Sequence, residues 1–293
     1  KKKTTVKQKN IIKNIFKKKF KMALVSSKWL NNNLNKVKII DASWHLKKDR
    51  DAFNEYKKKH IQNSVFINLD EVSDQNQNLP HNHYLPKKEL WEQKLSQLGI
   101  SNNSFVIIYD NSDLISSCRI WFQFLYFGHD SKLVSILNGG LKNWLLENRK
   151  VTDKKTKIIS SKYIAKENHR MIKIKSQIEK NIKTKEFTIL DARSKNRFLG
   201  IEEEPRPNVK KGNIPESKSL PFKELIDQKT NKLLNEKNLR EKFNSFKIAN
   251  KDTVMSCGSS VTATTLALAY SLIKSDYTPK IYIGSWSEYG KIK

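Results

Sequence analysis

Thr253-Val254-Met255-Ser256-Cys257-Gly258-Ser259-Ser260-Val261-Thr262-Ala263 is the stretch on which the fold turns. Thr253–Ser256, with Val254 and Met255 at its centre, is a short run without charge that reads as a buried strand. Thr264–Leu272, rich in Ala and Leu, has the pattern of a helix. A strand therefore delivers Cys257 into a short loop that opens a helix. That is the unit of an α/β sheet, and in open sheets of this class ligands sit at the carboxyl ends of the strands.

The same alternation runs outward through the chain. Val37–Asp41, Ser64–Ile67, Phe105–Tyr109 and Leu133–Leu137 read as strands, with longer amphipathic stretches such as Lys87–Leu98 and Ser117–Phe127 between them. The order then repeats. Ile39-Ile40-Asp41-Ala42-Ser43 matches Ile189-Leu190-Asp191-Ala192-Arg193 at an offset of 150. His60–Val65 matches Asn213–Lys218 at 153, Val106–Asp110 matches Thr253–Cys257 at 147, and Asn138–Trp144 matches Ile283–Tyr289 at 145. Four landmarks in one order predict a duplicated α/β domain of about 120 residues, each copy a mainly parallel sheet flanked by helices. The expected division is a basic N-terminal extension over residues 1–22, a first domain over 23–147, a polar lysine-rich linker over 148–172 and a second domain over 173–293.

Length and composition agree with two domains. The 293 residues can bury two cores, and apolar content of 37% is too high for wholesale disorder. No apolar run reaches the roughly 18 residues of a membrane span. Two cysteines 139 positions apart (Cys118 and Cys257) make neither a disulfide framework nor a zinc cluster, and the expected compartment is the cytoplasm. The net charge of +28 invites a nucleic-acid partner. However, the cations are 49 lysines against 8 arginines, as an A/T-rich coding bias would produce. Ten of those lysines fall in Lys1–Lys21, which reads as sequence upstream of a start at Met22 or as a basic arm. With no Arg or Ser it lacks the signature of an organellar presequence. Aromatic residues do not interleave with the lysine runs, as single-strand binding would require.

Where the first copy ends its strand in Asp110, the second has Cys257. Loop N–H groups and a helix N-terminus around a sulfur favour thiolate over thiol, which makes the sulfur a nucleophile and would also hold a persulfide. A lone cysteine is otherwise an inert core residue, and Cys118, beside Trp121 and Phe122 with no glycine next to it, reads as packing.

Cys257-Gly258-Ser259-Ser260-Val261-Thr262-Ala263 resembles the active loop of the two-domain rhodanese superfamily, most closely that of its 3-mercaptopyruvate sulfurtransferases. The resemblance covers roughly residues 23–290. It includes Asp41–Trp44, Leu137–Leu141, Arg197–Gly200 through Glu204–Arg206, and Gly284–Glu288. It implies a sulfurtransferase that carries sulfur as a Cys257 persulfide, with no metal or organic cofactor. It implies a Ser259–His83–Asp70 relay at the domain interface, with the register set on His83 rather than His81 by the following Leu85-Pro86. It further implies substrate binding by Arg197 and Arg206 and by the loop residues Gly258, Ser260, Val261 and Thr262. Arg193, beside the strand-end Asp191, reads as a structural ion pair.

Thiosulfate-using relatives carry basic residues after the cysteine, where Gly258 and Ser259 stand here. Phosphatase relatives need an Arg where Ala263 stands. Ser260 replaces the usual loop glycine, at a cost of about 1 kcal/mol if its φ is positive. Asn213 and Ile283 also depart from the family pattern, as scaffold positions. The first domain is expected to be non-catalytic apart from Asp70 and His83. The expected partners are a small sulfur donor and a thiol acceptor such as thioredoxin, with no specific nucleic acid and no membrane, and the chain a monomer. Rival readings are a thiosulfate sulfurtransferase and a nucleic-acid binder on an inactive rhodanese scaffold.

Overall fold

The computed structural model describes residues 23–292 apart from 47, 48, 114 and 249–251; the basic segment before Met22 lies outside the described residues. The first half runs β1 (Leu24–Val25), α1 (Ser27–Asn31), β2 (Lys38–Asp41), α2 (Ala52–Lys58), β3 (Ser64–Phe66), α3 (Lys88–Gln97), β4 (Val106–Tyr109), α4 (Ser117–Tyr126), β5 (Val134–Leu137) and α5 (Gly140–Leu146). The second runs β6 (Ile172–Lys173), α6 (Lys175–Thr184), β7 (Phe187–Asp191), α7 (Lys195–Phe198), β8 (Lys218–Ser219), α8 (Glu236–Asn244), β9 (Asp252–Ser256), α9 (Ala263–Ile273), β10 (Ile281–Tyr282) and α10 (Ser285–Tyr289).

The two sheets have one topology. Their strand orders are β1-β5-β4-β2-β3 and β6-β10-β9-β7-β8, with every pair parallel. The registers reproduce the sequence offsets. Ile40 pairs with Val65 and Ile108, and Leu190 with Lys218 and Met255; Ile108 pairs with Ile136, and Met255 with Ile281. These equivalences are displaced by the same 150, 153, 147 and 145 positions, so the duplication holds residue by residue. The edge strands β1 and β6, two residues each, carry too little pattern to be read from sequence.

Local signals set the helix starts. Ser26, Asp51, Ser194 and Asn235 each accept the backbone N–H three residues on and so cap α1, α2, α7 and α8. The helix α9 has no side-chain cap: Thr262 stands at that position without such a bond. Its N-terminus is left open toward the Cys257 loop.

The helices that follow β4 and β9 pack on each other and join the two halves. Both are buried almost all round, as their apolar composition requires. One apolar cluster passes from Ile108 and Trp121 in the first half to Leu266 and Met255 in the second. The segment between the halves runs back along the first domain. His60 and Thr152 exchange backbone hydrogen bonds at 2.9 Å, Lys166 and Asn168 donate to Phe127 and Tyr126 carbonyls, and Tyr163 is buried beneath.

Candidate active site

Cys257 stands at the carboxyl end of β9 and is only 2% exposed. The loop behind it is pinned from its carbonyl side. Trp286 N–H donates to the Cys257 carbonyl at 2.9 Å, and Ser287 donates to the Gly258 carbonyl through both N–H and Oγ. With the carbonyls turned toward α10, the N–H groups of Gly258, Ser259, Val261 and Thr262 are left for another acceptor. None of them donates to a protein oxygen among the described residues. The first copy shows what such a loop does without the cysteine. There the Asp110 carboxylate accepts Ser112 and Ser117 N–H at 2.9 Å, so the chain's own anion occupies the equivalent place.

A small cavity of about 50 Å³ opens over the sulfur, lined by Trp44, Leu46, Arg197, Pro205, Arg206, Cys257, Gly258, Ser259, Val261 and Thr262. Two guanidiniums lean over Gly258. A Cβ added there would lie 3.0 Å from an Arg197 NH2 and 3.6 Å from an Arg206 NH1. The two arginines differ in partnering. Arg197 shares the buried Glu204 with Arg193, which in turn forks onto Asp191. Arg206 has no carboxylate partner among the described residues and donates to Ser259 Oγ at 2.8 Å. Burial pulls the Arg206 guanidinium below its ordinary value, with Cys257 opposing.

Ser259, His83 and Asp70 meet across the domain interface. Ser259 Oγ lies 3.1 Å from His83 Nδ1, and His83 Nε2 lies 3.4 Å from Asp70 Oδ1. A carboxylate accepts, so the imidazole proton sits on Nε2 and Nδ1 accepts the Ser259 hydroxyl. Trp44 holds the outer end: its indole N–H donates to both Asp70 oxygens at 3.1 Å, and its ring meets His83 edge to face. Burial, opposed by Asp70, keeps His83 below the ordinary imidazole value; Arg206 and Arg119 add to the depression. Burial also raises Asp70, but bonds from His83 and Trp44 outweigh it, and its value falls on balance. His81 does a different job. It donates to the Ile283 carbonyl across the interface, accepts His83 N–H, and is held neutral by burial, at about 3.

Ser260 is not part of the cavity lining expected of it. Its φ is +56°, the left-handed conformation that makes glycine usual there, and its N–H donates to Ser285 Oγ, itself at φ +52°. Its hydroxyl and carbonyl turn beneath the loop toward the His83 carbonyl and Arg119. Strain of this kind persists where surrounding contacts over-determine it. Arg119 was passed over in the sequence, although an arginine retained in so lysine-rich a chain, one residue from Cys118, was a signal. Cys118 itself is a fully buried core residue, and burial pushes its thiol out of the physiological range.

A cysteine loop, a cavity under two guanidiniums, and a Ser259–His83–Asp70 chain of contacts whose last two members come from the other copy all sit on a duplicated parallel-sheet fold. The rhodanese-like domain model matches residues 26–147 and again 175–291. The chain belongs to the two-domain rhodanese family. It is 35% identical over 277 residues to human 3-mercaptopyruvate sulfurtransferase, covering 91% of each chain. It is 32% identical to chicken thiosulfate sulfurtransferase, over 91% of this chain and 93% of that one. The crystal structure of SseA from Escherichia coli, described as a 3-mercaptopyruvate sulfotransferase, superposes at a TM-score of 0.79 and 28% identity over 90% of this chain and 99% of its own. That of Tum1 from Saccharomyces cerevisiae superposes at 0.82 and 25% identity over 92% and 95%. The family's chemistry is sulfur transfer. Among the described residues no helix is long and apolar enough to cross a membrane.

Proposed function

We propose that this chain takes sulfur from 3-mercaptopyruvate onto Cys257 as a persulfide, releases pyruvate, and passes the sulfur to a thiol. The observation that carries the reading is the Ser259 hydroxyl, held between Arg206 and His83 with Asp70 behind the imidazole. The Cys257 thiolate attacks the thiol sulfur of the donor. The carbon–sulfur bond breaks, and its electron pair stays on carbon as the pyruvate enolate. The proton of the donor thiol must end on that carbon, which leaves a persulfide anion and pyruvate, with charge and atoms balanced and no cofactor consumed. Ser259 and His83 form the path for that proton, oriented by Asp70. Arg206 and Arg197 hold the donor's carboxylate and carbonyl. The N–H groups of Gly258, Val261 and Thr262 hold the persulfide. An acceptor thiolate such as that of reduced thioredoxin, or cyanide in an assay, then attacks the outer sulfur.

Thiosulfate is the competing donor, since relatives carrying that name match the chain too. Its cleavage expels sulfite and moves no proton, so it has no use for the relay. A dianion also favours cations directly after the cysteine, where Gly258 and Ser259 are neutral. Comparing kcat/KM on the two donors, with mass spectrometry of the Cys257 peptide for one added sulfur that a thiol removes, decides the matter. Preference for thiosulfate, or sulfur found elsewhere, overturns the proposal. A monomer in the cytoplasm is the proposed state, tested by sedimentation and by cell fractionation against a mitochondrial location, since one relative is named as mitochondrial.

Two further outcomes are expected. With His83 neutral down to below the ordinary imidazole value, the acid limb of kcat/KM should lie below about pH 6.5. Asp70 is the group that favours protonation of His83, so Asp70→Asn should move that limb further toward acid; a limb moving upward contradicts the assignment. Gly258→Ala should raise KM for mercaptopyruvate about tenfold with little change in melting temperature, because its methyl enters the space under Arg197.

A further inference from the structure

Arg119 is completely buried on α4, in the first domain, and has no carboxylate partner among the described residues. Its NH1 donates to the carbonyl and hydroxyl oxygens of Ser260 at 3.2 and 3.3 Å, its NH2 donates to the His83 carbonyl at 2.7 Å, and its Nε has no partner. A buried cation that meets only neutral dipoles carries a desolvation penalty that a nearby anion would offset. Burial holds this guanidinium down at about 10, with Cys257 opposing, and through Ser260 it grips the Cys257 loop from below. Arg119 does not line the cavity.

We infer that Arg119 is the built-in counter-ion of the Cys257 thiolate and of its persulfide, a positioning residue supplied by the non-catalytic copy. The inference rests on Cys257 being the nucleophile. Four other ionisable groups surround the sulfur's site: Arg197 on α7, Arg206 on the segment after it, and His83 with Asp70 behind it on the loop leading to α3. His83 is held neutral, and Arg197 is already neutralised by Glu204. Arg206 faces the cavity, where a donor carboxylate competes for it. Arg119, on the opposite side of the loop, lies outside the cavity lining, so its charge is not taken up by a donor there. The two-pronged grip explains an arginine rather than one of the chain's many lysines. One prong keeps Ser260 in its left-handed conformation, and the other holds the His83 backbone so that its Nδ1 reaches Ser259. The first domain thus supplies the His83 and Asp70 of the relay together with the fixed charge.

The test is alkylation of Cys257 by iodoacetamide in thiol-treated wild type, Arg119→Lys and Arg119→Met, followed on the Cys257 peptide by mass spectrometry. Arg119→Met should react about tenfold more slowly than wild type at about pH 7 and match it at about pH 10, where the thiol ionises unaided. Arg119→Lys should stay within about twofold at both. A merely structural strap predicts no slowing, or one factor at both pH values, and either result overturns the inference. If Arg119→Met does not fold, wild type and Cys257→Ser decide. Their difference in melting temperature should widen as pH rises from about 6 to about 9, because the paired thiolate stabilises the fold only once it forms; a constant difference overturns the inference. No donor is used, so a wrong donor assignment shows instead as a wild-type enzyme that alkylates as expected and forms no persulfide with mercaptopyruvate.

Discussion

Cys257→Ser should lower sulfur transfer by about five orders of magnitude or more, because no other group present can hold the transferred sulfur. The loop should survive the change. Its grip comes from the Trp286 and Ser287 bonds to backbone carbonyls, which do not involve the sulfur. The protein should therefore stay folded at about pH 6, where the thiolate contributes least, while pyruvate release and the persulfide adduct disappear. Cys118→Ala is the matched control. It opens a small cavity in a core helix, at a cost of about 1 kcal/mol, and should leave turnover per folded molecule unchanged. Steady-state pyruvate release alongside thermal melting separates the two. Activity retained in Cys257→Ser, or abolished in a folded Cys118→Ala, removes Cys257 from the centre of the chemistry.

Arg206→Gln should cost about two to three orders of magnitude in kcat/KM for mercaptopyruvate, roughly 3–4 kcal/mol at the transition state. Two losses combine in that figure. The donor's carboxylate loses the guanidinium that has no carboxylate of its own, and Ser259 loses the donor that fixes its hydroxyl toward His83. Arg197→Gln should cost only about tenfold, since Glu204 already neutralises that guanidinium and Arg193 remains to hold Glu204. Arg206→Lys should recover part of the loss, restoring charge without the planar fork. Steady-state kinetics on the three variants check the ordering, and a larger loss at Arg197 than at Arg206 contradicts the assignment of the open cation.

Much of the fold was legible because parallel strands buried on both faces are written as short continuous apolar runs, and because the whole pattern occurs twice. The four offsets reappear as strand registers, since a parallel ladder permits no slip once both faces are packed. The two-residue strands at each sheet edge were not legible, because neighbouring strands rather than their own composition place them. Ser259, His83 and Asp70 could be grouped only through the resemblance. Ser259 lies 176 positions from His83, and no local pattern ties a loop histidine to a loop serine so distant. Arg119 shows the same limit more sharply. On its helix it sits among Cys118, Ile120, Trp121 and Phe122, and nothing in that stretch says that a buried guanidinium faces the sulfur loop of the other copy.

The sequence by itself determined the duplicated α/β architecture, the loop that presents Cys257, and the contrast with Asp110 at the equivalent strand end, since each depends on patterns within a few neighbouring residues. Tertiary structure alone decided three things. Ser260 turns beneath the loop rather than into the cavity, Glu204 takes the charge of Arg197 but not of Arg206, and a buried arginine of the first domain lies against the Cys257 loop of the second. The reason is that burial and charge pairing depend on which surfaces meet, and here the meeting surface is the face of α4 against α9, a contact between residues far apart in the chain.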